Sequence, residues 1–203
     1  MVRLRAGDTA PSFVAQTMDG QTITSEALEE QRVLLAFRRY AACPVCNEHL
    51  ANYRVRDNEL RRAGIRVISI FHSPASRLAV YFKPADLPFD VVTDPDFELY
   101  RAFGVAKRRA ILFRPRSLAA AIPAAKRGYG SDQWGEWDGT AKMAPANFLL
   151  HRGKVAAAHY GRHLGDAWTV DDALMRALEV WEEPKLDDPR AEAAQRTAKP
   201  APR

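Results

Sequence analysis

Apolar positions follow two different rhythms along this chain of 203 residues, and each rhythm predicts a kind of element. Between positions 8 and 24 apolar and polar residues alternate on either side of Met18-Asp19-Gly20, the pattern of an antiparallel hairpin. Val33 to Phe37 and Ile65 to Phe71 are short, largely apolar runs, as strands buried on both faces require. The segment 44–63 between them predicts a helix, opened by Pro44 and closed before Gly64. Together they form a βαβ unit with parallel strands. Ser76 to Phe82 predicts a second helix stopped before Pro84, and Phe89 to Val92 a short strand. Asp94-Pro95 then caps a helix ending at Gly104. Asn147 to Leu150 and Val155 to His159, split by Arg152-Gly153, predict a second hairpin. A last helix starts near Thr169, with Val170, Ala173, Leu174, Ala177, Leu178 and Trp181 forming one buried stripe.

This order of elements is that of the thioredoxin fold. The fold expected is α/β, with a central mixed sheet flanked by helices, an N-terminal hairpin, and an insertion before the last β-hairpin. Residues 1–182 form the domain, with 106–143 as the insertion. Ser117 to Lys126 predicts a short helix interrupted by Pro123, and 128–139 a glycine-rich loop carrying Trp134 and Trp137. Inserts of this length are often lids or partner surfaces, and this one is expected to close over the candidate site. From Glu183 onward Pro, Ala and charge dominate, which predicts a flexible tail over 183–203.

Composition narrows the function classes. The chain is 47% apolar and 27% charged, with a net charge of +5 spread along its length. A dispersed excess without interleaved aromatics or a recognition motif argues against nucleic acid. No run approaches the length of a membrane span, and the first residues lack the apolar core of a secretion signal, so a cytoplasmic protein is expected.

The candidate chemistry lies in Cys43-Pro44-Val45-Cys46, which holds the only two cysteines of the chain. On the first turn of a helix that follows a strand, such a pair can close a disulfide and reopen it without rearranging the fold. In a reducing compartment a lone close pair is more often catalytic than structural. Cys43 is the candidate nucleophile, because the helix N-terminus favours its thiolate. Arg38 and Arg39 add positive charge just upstream. Cys46, one turn inward, would resolve a mixed disulfide or sulfenic acid at Cys43. Two cysteines are too few for a zinc site unless histidines complete it, and the spacing of His49 and the other histidines matches no familiar ligand pattern. Neither metal nor organic cofactor is expected. His159 and His163 lie where the last strand of such a fold returns toward the dithiol, which makes them candidate proton shuttles. The bland alternative for that stretch is a polar loop whose Asp166 helps to cap the last helix.

Five fragments in order resemble peroxiredoxins of the AhpC/TSA type: Gly7-Asp8-Thr9-Ala10-Pro11-Ser12-Phe13 with Asp19-Gly20, Ser73-Pro74-Ala75-Ser76, Leu87-Pro88-Phe89, Thr93-Asp94-Pro95-Asp96 and Phe103-Gly104-Val105. The stretch from Arg38 to Asn47 further resembles peroxiredoxin-like proteins with a CxxC redox centre. The chain departs from the family's Pro-x-x-x-Thr-x-x-Cys motif in either register. With Cys43 aligned as peroxidatic cysteine, Ala36 and Tyr40 take the proline and threonine places; with Cys46, Arg39 and Cys43 do. The second register would reverse the roles of the two sulfurs. Arg39 is expected to hold a peroxide or steady the thiolate. Tyr40 and Pro145 are expected to meet the substrate, Pro145 because Ala144-Pro145-Ala146-Asn147 resembles the cis-proline segment of thioredoxin.

The resemblance implies an antioxidant thiol oxidoreductase that reduces a hydroperoxide or a disulfide through a Cys43/Cys46 cycle. A thioredoxin- or glutathione-type reductant would reset it, and homodimer formation stays open. The alternatives are a thiol–disulfide exchanger without peroxidase activity, and a redox-sensing adaptor without turnover.

Overall fold

The structure, a computed structural model, describes residues 2–107, 111–129 and 141–181. Its centre is a seven-stranded mixed sheet of strands β1 (Val14–Thr17), β2 (Thr22–Thr24), β3 (Arg32–Phe37), β4 (Ile65–Phe71), β5 (Asp90–Thr93), β6 (Ala146–His151) and β7 (Lys154–Tyr160). They lie side by side in the order β2-β1-β5-β4-β3-β6-β7. β3, β4 and β5 are parallel, while the hairpins β1–β2 and β6–β7 join antiparallel on either side. This is the thioredoxin-like α/β arrangement expected, with β3 at the middle of the parallel and antiparallel halves.

The continuous apolar run in β3 has a direct cause. Val33, Leu35 and Phe37 face one core, shared with Leu99, Tyr100 and Phe103. Leu34 and Ala36 face the opposite core, shared with Tyr53, Leu60, Ala173 and Ala177. Side chains alternate across a strand, so a strand covered on both faces must be apolar at every position. Phe37, Tyr100, Phe103 and Phe148 pack around one another with ring centroids 5.1 to 5.6 Å apart.

The helices are α1 (Pro44–Val55), α2 (Asp57–Arg62), α3 (Ala75–Tyr81), α4 (Glu98–Ala102), α5 (Pro115–Lys126) and α6 (Val170–Val180). The single helix expected over 44–63 is two: Arg56 leaves helical geometry at φ −106°, ψ 18°. Its guanidinium is drawn to Glu59 and to Asp171 at the start of α6. α4 is capped as expected, with the Asp94 carboxylate accepting from the N–H groups of Glu98 and Tyr100. α6 begins with a capping box between Thr169 and Asp172. One part of its expected stripe fails, since Leu178 is 67% exposed while Ala173 and Ala177 carry the contact.

α5 also differs from expectation. Pro123 does not interrupt it; the helix runs through, and Arg127 N–H still bonds to the Pro123 carbonyl. Its inner face of Ala120, Ala121 and Ala124 packs on the cluster that holds the two cysteines. An ion pair between Arg127 and Glu48 of α1 fastens its C-terminal end. Ser117 fixes its start by donating to the Ile111 carbonyl and accepting from Leu164 N–H. The glycine-rich loop with Trp134 and Trp137, and the tail expected over 183–203, lie outside the described residues. No helix among the described residues is long and apolar enough to cross a membrane.

Candidate active site

Cys43 sits at the C-terminal end of the loop leaving β3, as the residue that caps α1, and Pro44 takes the first helical position. Proline there loses nothing, because its missing N–H would have no helical partner. Cys43 and Cys46 are joined by a disulfide across the first turn, with Cα atoms 5.3 Å apart. Both sulfurs are enclosed: Cys43 is 0% exposed and Cys46 5%.

Two donors converge on the Cys43 sulfur. Cys46 N–H points to Sγ at 3.2 Å, and Arg39 Nη2 lies 2.9 Å from it. In the disulfide this sulfur is a weak acceptor; as a thiolate the same atom would be a far stronger partner for both donors. Arg39 is 2% exposed, and burial pushes its guanidinium below its ordinary value, partly offset by Tyr40. Its Nη1 donates to the Ala141 carbonyl at 3.2 Å, which fixes the fork toward the sulfur.

The loop around the pair is held by its own hydrogen bonds. Ser73 Oγ, after β4, accepts from Ala41 N–H at 2.7 Å, and Asn47 donates to the Ala41 carbonyl. Tyr100 Oη donates to the carbonyls of Arg38 and Ile70, tying the end of β3 to β4. None of these three side chains is evident from sequence as a support: Ser73 and Tyr100 act across the fold, and Asn47 acts on a carbonyl six residues back. Only the βαβ order, which sets the ends of β3 and β4 side by side, hinted at Ser73.

The other expected residues are spread around this centre. Tyr40 is half-buried, lies under the Arg39 guanidinium at 5.4 Å, and accepts Cys43 N–H at its carbonyl. Pro145 is buried at the start of β6, where its carbonyl accepts from Gly161 N–H. There are no cis peptide bonds among the described residues, so Pro145 does not reproduce thioredoxin's cis-proline. His159 contacts the Asp166 carboxylate at 3.1 Å and stacks on Trp168. His163 is half-buried beside Gly165, and no described contact links either histidine to Cys43, Cys46 or Arg39. His49, a turn beyond Cys46, meets Arg38 instead of a metal. Among the described residues no group of three or more His, Cys, Asp or Glu is gathered as a metal site requires.

A disulfide on the first turn of a helix, with a guanidinium on its N-terminal sulfur, can cycle between dithiol and disulfide. The profile of the AhpC/TSA family matches residues 6–157, which take in the whole of this site. The chain belongs to the AhpC/TSA family. Among curated members it is similar to Peroxiredoxin Bcp of Escherichia coli (strain K12), at 31% identity over 102 residues. That match covers 50% of this chain and 65% of the relative. The putative peroxiredoxin bcp of Haemophilus influenzae is 26% identical over 102 residues, covering 50% and 66%. The chain thus spans just under two thirds of the length of these AhpC/TSA relatives.

Solved structures show the same fold. Peroxidoxin BcpB from Mycobacterium tuberculosis superposes with a TM-score of 0.65 at 16% identity, over 89% of this chain and 100% of the other. Peroxiredoxin Q of Xanthomonas campestris gives 0.62 at 17%, over 88% and 96%. A putative thiol:disulfide interchange protein DsbE from Chlorobium tepidum gives 0.53 at 18%, over 88% and 97%. These likenesses establish architecture alone.

Proposed function

We propose that this AhpC/TSA protein is a peroxiredoxin-like thiol oxidoreductase that reduces a hydroperoxide through Cys43 and Cys46. The observation that carries this reading is the convergence of Arg39 Nη2 and Cys46 N–H on Cys43 Sγ, with Cys46 Sγ bonded to the same atom. In the reduced protein the Cys43 thiolate attacks one oxygen of ROOH, the O–O bond breaks, and the alkoxide leaves with a proton as ROH. Cys43 is then a sulfenic acid. The Cys46 sulfur attacks it, the S–O bond breaks, and the hydroxyl leaves with the Cys46 proton as water. Arg39 serves twice, lowering the energy of the thiolate and offering a donor to the oxygen that gains charge.

Burial favours a small oxidant. With Cys43 at 0% exposure, a hydroperoxide reaches the sulfur after a smaller opening than a protein disulfide would need. The inner face of α5 covers the pair, consistent with the insertion acting as its cover. Tyr40 lies beneath Arg39, and Pro145 precedes β6, whose Ala146 pairs with Phe37 at the end of β3; we give His159 and His163 no step. A thioredoxin- or glutathione-type thiol resets the disulfide, which suits the reducing cytoplasm.

The test mixes reduced protein with hydrogen peroxide, an alkyl hydroperoxide and a model disulfide, following thiol loss in wild type, Cys43→Ser and Cys46→Ser. Cys43→Ser should abolish peroxide consumption. Cys46→Ser should consume one equivalent and hold a sulfenic acid that a dimedone reagent labels. Fast reaction with the disulfide and none with either peroxide would replace this reading with a thiol–disulfide exchanger. Stoichiometric oxidation without turnover would replace it with a redox sensor.

A further inference from the structure

Arg38, the residue before Arg39, is the largest fully buried side chain among the described residues, at 1% exposure. Its guanidinium lies over the Tyr53 ring, 5.0 Å from the centroid. Nη1 sits 3.1 Å from His49 Nδ1, while Nε and Nη2 have no hydrogen-bond partner. Neither Arg38 nor Arg39 forms an ion pair with a carboxylate among the described residues. Two consecutive buried cations therefore flank the redox centre, neither with a carboxylate partner among the described residues.

Such an arrangement is costly, because a buried charge ordinarily requires a partner. His49 cannot supply one. Burial, then the Arg38 charge, pushes its imidazole down to about 3, so it stays neutral and accepts through Nδ1. His49 lies one turn of α1 beyond Cys46, so the cation it meets is close to the sulfurs. The anion that appears in this neighbourhood is the thiolate formed when the disulfide is reduced.

We infer that Arg38, kept without a counter-charge by His49, is a positioning residue that holds the Cys43–Cys46 couple toward its reduced, anionic form and so makes the disulfide a readier thiol oxidant. In the step concerned, two external thiols give up two electrons. The Cys43–Cys46 bond breaks and a bond forms between the two external sulfurs. One thiol proton passes to Cys46 and the other to solvent, leaving Cys43 as thiolate. The inference rests on the dithiol reading of the site but not on peroxide being the oxidant.

A unit charge within roughly 10 Å in protein surroundings is worth about one decade in an ionisation equilibrium. The experiment equilibrates the full chain with reduced and oxidised glutathione and reads the dithiol fraction by alkylation. Arg38→Met should lower the equilibrium constant for reduction about tenfold, a fall of about 30 mV in potential. Arg38→Lys, which keeps the charge, should restore most of it. His49→Glu, which gives Arg38 a counter-charge, should fall as Arg38→Met does, and His49→Gln should stay within about twofold of wild type. Circular dichroism verifies folding, and if Arg38→Met does not fold, the two His49 variants decide. Equal constants for His49→Glu and His49→Gln overturn the inference, as does Arg38→Lys falling as far as Arg38→Met. Because peroxide is absent from this assay, failure here leaves the peroxidase test standing, and the converse.

Discussion

Replacing Arg39 by methionine keeps an unbranched side chain of similar reach and removes the guanidinium 2.9 Å from Cys43 Sγ. A hydrogen bond to a charged group is worth about 1.5–3 kcal/mol. One pKa unit corresponds to about 1.4 kcal/mol, so the loss should raise the Cys43 pKa by about 1–2 units. The sign follows from the charge: without the cation the thiolate is less favoured, so ionisation moves to higher pH. Reaction with peroxide at neutral pH should then slow by about tenfold or more, and recover as pH rises through the new value. The measurement is thiolate absorbance against pH in a Cys46→Ser background, where Cys43 alone titrates, together with the pH–rate profile for peroxide. Arg39→Lys should lie between the two, because lysine keeps the charge but lacks the fork held by the Ala141 carbonyl. An unchanged Cys43 pKa in Arg39→Met would refute the reasoning, and would move the attacking role toward Cys46.

Two further outcomes concern the frame around the site. Ala124 is fully buried where α5 meets the cysteine cluster, so Ala124→Leu should overpack it and cost about 1–3 kcal/mol in denaturant unfolding of the oxidised protein. Burial alone would raise the Asp166 pKa, but hydrogen bonds from Arg162 outweigh it and hold the carboxyl below its ordinary value. Asp166 therefore adds stability above the usual carboxylate range, and loses it as pH falls through the lowered folded value. Asp166→Asn should cost about 0.5–1 kcal/mol at neutral pH, with the difference shrinking in acid; a gap that grows in acid would contradict this.

Much of the fold is legible in the sequence because its signals are local. The β3–α1–β4 unit shows in two apolar runs and a Pro44/Gly64 frame, and the hairpins in their turn residues. The elements that differ from the sequence expectation depend on contacts between distant segments. Arg56 breaks the long helix where it meets Asp171, some 115 positions away. α5 continues through Pro123, its C-terminal end fastened to Glu48 and its inner alanines packed on the cysteine cluster. Leu178 is exposed while Ala173 and Ala177 carry the buried face of α6.

The cysteine pair was the clearest part of the site, and the arginines beside it were the least clear, for one physical reason. Arginine is a surface residue by default, so Arg38-Arg39 reads in a sequence as solvated charge at a strand end. Position decides otherwise. The two residues continue β3, whose every side chain is buried from Val33 onward, so neither can turn to solvent without pulling the strand out of the sheet. The chain is thus compelled to bury two cations, and the first turn of α1 directs its Cys46 N–H to the same Cys43 sulfur that Arg39 meets. A thiolate at Cys43 is the small, soft anion that both features accommodate. The sequence pattern that makes β3 a central strand is therefore also what sets a buried guanidinium on the sulfur of the cysteine that follows it.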